Sequence, residues 1–135
     1  MTLFVDTNVF LRFLLNDHKT QSPAANKLFK EAGKGKITLT TSSLIMAEMV
    51  FTLDSFYKLS KQEIIKKVHA ILFFEGLKIT EKNILIQAIT FYEKKNIDFI
   101  DAYGAAFALE NKIDICSFDR DFDRVKEIKR FNPII

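Results

Sequence analysis

Short β-rich runs alternate with capped helical segments along the whole chain, and this alternation is the strongest constraint on what it can fold into. Thr2 to Val5 reads as a strand, and Asp6-Thr7-Asn8 suits a strand end that caps a helix over Val9 to Leu15. Ser22-Pro23 is a helix start with Ser as cap and Pro at the first helical position. Gly33-Lys34-Gly35 ends that helix before a strand at Ile37 to Thr40. Ser42 or Ser43 caps a third helix to about Tyr57. After a turn around Leu59, Ser60 with Glu63 makes a capping box for a fourth helix, which Gly76 closes. Leu77 to Ile79 is a third strand, Thr80 caps a helix to about Lys95, and Asp98 caps the next to about Asn111. The strand Ile113 to Ser117, a short helix through about Glu127 and an extended piece at Phe131 to Ile135 complete the order. Strands alternating with helices imply an α/β fold, a parallel sheet covered on both faces, with sites at the carboxyl ends of its strands.

Size and composition bound the rest. A chain of 135 residues with 48% hydrophobic content and 14 Phe is expected to form a single domain over residues 1–135 with one core. The longest uncharged apolar runs are too short to span a bilayer, and no basic region precedes a hydrophobic stretch at the N-terminus, so no membrane partner and a cytoplasmic location are expected. Cys116, the one cysteine, lies in an apolar run and reads as a small buried hydrophobe. The net charge of +3 is uneven. Bases cluster at Lys27, Lys30, Lys34 and Lys36, at Lys58, Lys61, Lys66 and Lys67, and at Arg124, Lys126, Lys129 and Arg130. Such clusters suit a polyanion such as RNA, or else the solvated faces of amphipathic helices.

Four acids stand out. Asp6, Glu48 and Asp101 each sit alone in apolar sequence, and Asp119 directly follows the apolar run Ile113 to Ser117. A carboxylate buried in such surroundings needs a partner, and with no Lys or Arg flanking the first three, converging acids point to a divalent cation held by oxygen, the environment of Mg²⁺ or Mn²⁺. Each acid has a plainer role too. Asp6 suits a helix cap. Glu48 has Leu44, Ile45, Phe51 and Thr52 at helical spacing, which turns it toward the protein or a cleft. Asp101, three residues after Asp98, is half of a weakened capping box, and the helix N-terminus is expected to hold its carboxylate ionised. Asp121 and Asp123 suit the first turn of a solvated helix.

Other chemistries fail on spacing. A calcium loop counted from Asp119 would need Gly and Glu where Arg124 and Arg130 stand. His18 and His69 with one Cys make no zinc set. Gly33-Lys34-Gly35-Lys36 lacks the form of a phosphate loop, and no nucleophile elbow is present. A haloacid-dehalogenase-type phosphatase would need an acid at Asn8.

Phe4-Val5-Asp6-Thr7-Asn8, Ser42-Ser43-Leu44-Ile45-Met46-Ala47-Glu48, Asp98-Phe99-Ile100-Asp101-Ala102 and Ser117-Phe118-Asp119-Arg120-Asp121-Phe122-Asp123, in this order, make the chain resemble PIN-domain ribonucleases, specifically the VapC toxins of VapBC toxin–antitoxin pairs. The resemblance implies a three-layer α/β/α sandwich around a mostly parallel sheet of four to five strands. It implies a metal site of Asp6, Glu48, Asp101 and Asp119, with Asp121 as an accessory ligand and Thr7, Asn8 and Ser117 in support. It further implies Mg²⁺- or Mn²⁺-dependent cleavage of RNA, a cognate antitoxin and a homodimer, the apolar hairpin from Leu44 to Phe74 being the surface expected to meet a protein partner. Two alternatives stand beside it: an inactive PIN-like interaction module, and a non-toxin PIN nuclease of RNA processing.

Overall fold

The computed structural model describes residues 1–134. Ile135, the end of the expected C-terminal extended piece, lies outside them. The chain forms two compact units, Met1–Glu81 and a second that begins at Lys82.

In the first unit, β1 (Thr2–Phe4), α1 (Thr7–Leu15), α2 (Gln21–Gly33), β2 (Thr38–Thr41), α3 (Ser43–Ser55), α4 (Lys61–Leu72) and β3 (Leu77–Ile79) follow one another. The strands lie in the order β1-β2-β3 and pair in parallel, with Leu3 opposite Leu39 and Leu39 opposite Leu77. Parallel neighbours need a crossover, and helices supply it here. Phe10, Leu39, Met46, Met49, Leu53, Ile64, Val68 and Leu72 are buried. They come from α1, β2, α3 and α4, so one apolar core serves sheet and helices together.

Local chemistry set most helix starts. Asp6 Oδ1 accepts from the Thr7 N–H at 2.8 Å, Ser42 Oγ from Ile45, and Ser60 Oγ from Glu63. Helix α1 therefore begins two residues before Val9. Helix α2 begins at Gln21, not at Pro23, because Ser22 lies inside the helix, buried, with its Oγ accepting from the His18 N–H. Pro23 is tolerated there because first-turn amides have no helical acceptor. Helix α4 ends at Leu72, before Gly76. Glycine at 76 instead answers a close approach, since a Cβ there would lie 2.9 Å from the carbonyl carbon and oxygen of Ala32. Backbone cannot yield as a side chain does. Gly76→Ala is expected to destabilise the protein by about 1–3 kcal/mol, read as a lowered urea midpoint; an unchanged midpoint would mean that the α2–β3 contact is loose.

The second unit comprises α5 (Lys82–Lys94), α6 (Phe99–Asn111), β4 (Ile115–Cys116), a 3₁₀ turn at Arg120–Arg124, and β5 (Arg130–Phe131). Thr80 does not cap α5; its Oγ1 accepts from the Ser43 N–H, and the helix starts two residues later, after a left-handed Glu81. Asp98 caps α6 as expected. The buried small residues Ala102, Ala105 and Ala106 let α6 lie close to α5, where Tyr92 and Phe99 meet edge to face at 5.9 Å. Strands β4 and β5 are parallel, Ile115 opposite Arg130. The five expected strands are thus recorded as a three-stranded and a two-stranded parallel sheet. Cys116 is exposed, not buried: in a strand the side chains alternate, and half-buried Ile115 takes the inward position. No helix of the described residues is long and apolar enough to cross a membrane.

Candidate metal centre

Helix α6 and the loop after β4 bring three acids together. Asp101, Asp119 and Asp121 each offer a carboxylate oxygen, and these atoms lie within 4.8 Å of one another. Asp101 stands on the first turn of α6, fixed by Asp98, whose Oδ1 accepts the Asp101 N–H at 2.9 Å. The other two are set by a chain of short turns. Ser117 Oγ accepts the Asp119 N–H at 3.0 Å, and Asp119 Oδ1 accepts the Asp121 N–H at 2.8 Å. Ser117 thereby fixes the backbone of Asp119 at the strand exit.

Arg130 anchors this loop from β5, a role that its place in a basic cluster of the sequence did not indicate. Its Nη1 donates to the Ser117 carbonyl at 3.0 Å, while Nε and Nη2 grip the two oxygens of Asp123 at 2.9 and 3.2 Å. The guanidinium holds the Asp123 carboxyl below its usual range. Fork geometry of this kind constrains direction as well as distance.

Electrostatics at Asp101 run against the expectation from its helix position. Its pKa is raised, first by burial and then by the charges of Asp98, Asp119 and Asp121. Desolvation and three like charges outweigh a helix terminus, whose effect is confined to one turn. A cation among these acids would reverse that balance. The donor set fits one: three carboxylates whose oxygens lie within 4.8 Å of one another supply the oxygen ligands and the negative charge that a hard divalent cation takes. Among the described residues this is the one group of three or more candidate ligands.

The first unit holds the remaining candidates. Asp6 caps α1, so its plainer role is realised. Glu48 is exposed, so the expected turn toward the protein or a cleft does not bury it. Leu44 and Phe51, one turn either side on α3, are themselves 76% and 67% exposed, so an apolar helical neighbour does not imply a covered face. Glu48 is nevertheless held, because buried Thr7 donates its hydroxyl to Glu48 Oε2 at 2.8 Å. Asn8 is exposed and lines a cavity of about 430 Å³ with Arg12 and Leu28 of α1 and α2. Asp119 is exposed as well, and Asp121 half-buried. Full burial in apolar surroundings, the first ground for singling out these acids, therefore does not describe them; what joins Asp101 and Asp119 is their proximity to each other and to Asp121.

An α/β chain of parallel strands with acids after β4 and at the start of α6 is the architecture of a PIN nuclease domain. The sequence profile of the PIN domain matches residues 3–128, and the chain belongs to that family. It is similar to a VapC ribonuclease of Aquifex aeolicus, 27% identical over 130 residues that cover 96% of this chain and 95% of the relative. Among solved structures, it resembles Mycobacterium tuberculosis VapC20, described as a sarcin–ricin loop cleaving toxin, with a TM-score of 0.42 at 17% identity over 93% of this chain and 95% of the other. It also resembles VapBC2 from Rickettsia felis bound to a promoter DNA fragment, with a TM-score of 0.43 at 18% identity over 98% of each chain.

Proposed function

We propose that this chain is a Mg²⁺- or Mn²⁺-dependent endoribonuclease, the toxin of a type II toxin–antitoxin pair. The observation that carries the reading is the convergence of Asp101, Asp119 and Asp121 in a chain of the PIN family. Its likeness to a relative named as a VapC ribonuclease supports the substrate class.

A divalent ion supplies an activated water and offsets charge on the phosphate during phosphodiester hydrolysis. Asp101 and Asp119 would hold it, with Asp121 as the accessory ligand. Asp6 and Glu48 are proposed, on the resemblance, as further acids of the same reaction. Thr7 orients Glu48, and Ser117 with Arg130 orients Asp119. Phe118, 67% exposed beside Asp119, offers a face on which an unpaired base can stack. The exposed Leu44, Phe51 and Phe56 on α3 and just beyond it, with Phe73 after α4, support a protein partner on that hairpin, an antitoxin helix or a second copy of the chain.

Two linked measurements test the reading. Purified protein should cut single-stranded RNA internally with Mg²⁺ or Mn²⁺ and fail in EDTA. Its expression in the source organism should arrest growth, with relief by the small protein encoded beside it. Cleavage that persists in EDTA would sink the metal mechanism. Cleavage without growth arrest would sink the toxin assignment and leave a nuclease of RNA processing.

A further inference from the structure

The acids occupy the N-terminal end of α6; at its other end a groove of about 400 Å³ opens, with Lys112, Lys126 and Lys129 on its rim. All three lysines are exposed, and among the described residues none of their ammonium groups enters an ion pair. Two carboxylates also line the groove. Glu127 is already taken by Lys95 at 3.1 Å, which holds its carboxyl below the usual range, and Lys126 also acts by its charge on Asp123, so of the two lining carboxylates Asp114 is left to oppose the lysines. Leu109, Ile113 and Ile128 form an apolar floor, Ile113 being 53% exposed. The backbone fixes two of the lysines in place: Lys112 is the left-handed residue that ends α6, and the Lys129 carbonyl accepts the Ile115 N–H at 2.9 Å.

We propose that this groove is an anchoring site for the phosphates of single-stranded RNA, separate from the acids and about 16 Å from Asp101 along α6, at roughly 1.5 Å per helical residue. The inference rests on the nuclease reading for its substrate, but not for its test. Lysine ammoniums are compact point charges that hold a phosphate without reading sequence. An apolar floor beneath them accepts a ribose or an unstacked base. Acids that repel RNA in the absence of metal sit at one end of the helix and cations that attract it at the other. A strand gripped at the lysine end is thus delivered to the acids several nucleotides away.

The test compares wild type with the triple variant Lys112→Ala/Lys126→Ala/Lys129→Ala and with a control of equal charge loss, Lys27→Ala/Lys30→Ala/Lys34→Ala. Binding of fluorescent single-stranded RNAs of about 4 and about 16 nucleotides, the range of single-strand sites, is followed by anisotropy in EDTA against salt. Cleavage is followed separately with Mg²⁺. For the longer RNA, the plot of log affinity against log salt should be flatter by about 2 in the groove variant, from three phosphate contacts at roughly 0.7 each. The control should keep the wild-type slope, and cleavage of the short RNA should be unchanged by the groove variant. Equal slopes in wild type and groove variant, or equal flattening in the control, would overturn the proposal and leave the lysines to an acidic polypeptide or to solvent. A steeper wild-type slope without any cleavage would uphold the groove as an RNA site and refute the nuclease reading alone.

Discussion

Asp101→Asn should reduce RNA cleavage by about 100-fold or more, beyond the 10- to 100-fold typical of losing a residue behind a metal ligand, while making the metal-free protein more stable, not less. The two effects share one cause. Asp101 is half-buried among Asp98, Asp119 and Asp121, and its raised pKa records the cost of charging it there. A folded-state pKa above the unfolded one means that the native state binds the extra proton, so this group's contribution to stability falls as pH rises from the unfolded pKa through the folded one. Asparagine removes that cost while keeping the backbone N–H that Asp98 caps. In EDTA the variant's melting temperature should therefore exceed that of wild type, the gap opening as pH rises above 3.8 and levelling once Asp101 is fully ionised. Asp123 and Glu127, both lowered, act with the opposite sign, since their stabilisation is lost on acidification. They are common to both proteins and cancel in the difference. Mg²⁺ should then raise the melting temperature of wild type more than that of the variant, because a ligand stabilises only by binding the folded state. A variant that melts lower in EDTA at neutral pH would show that Asp101 is mainly a structural residue of α6.

Arg130→Ala should lower cleavage about 10- to 100-fold and weaken metal affinity in step, as loss of an outer support does. The Arg130 guanidinium acts on Asp119 through charge and holds the Ser117 carbonyl, while Ser117 Oγ in turn receives the Asp119 N–H. Arg130→Lys should rescue little, because a single ammonium cannot reproduce a fork that binds Asp123 and Ser117 together. Asp123→Ala should be milder, since the bond from Arg130 to Ser117 survives it. The diagnostic readout is the Mg²⁺ dependence of the rate: a rise in the Mg²⁺ needed for half-maximal activity marks misplaced ligands, whereas a merely less stable protein keeps that midpoint at temperatures well below its melting point. Unchanged activity and unchanged Mg²⁺ midpoint would remove Arg130 from the account.

What could be read from the chain was what local chemistry decides. Ser42, Ser60 and Asp98 cap their helices because a side-chain oxygen needs only the amide three residues on. Asp101 and Asp119 were legible as candidates because an isolated acid next to apolar sequence is conspicuous, and the order of four motifs carried the family. Arg130 was hidden because its partners are reached through the parallel pairing of β4 with β5, a contact that sequence spacing does not encode. The exposure of Glu48 was equally hidden. Periodicity tells which residues share a helical face, as Leu44, Glu48 and Phe51 do, but not whether anything covers that face. The starts of α2 and α5 were misread where a residue suited to capping, Ser22 or Thr80, spends its oxygen on a different amide.

Titration of Mn²⁺ into metal-free protein, read from the electron paramagnetic resonance signal of the free ion, tests most directly whether the acids of the second unit form a metal site. Wild type should remove Mn²⁺ from solution and gain RNA cleavage in proportion to the ion bound, while Asp101→Asn and Asp119→Asn should each lose both together. Undiminished Mn²⁺ binding in both variants, or cleavage by wild type that does not follow the bound ion, would contradict the account.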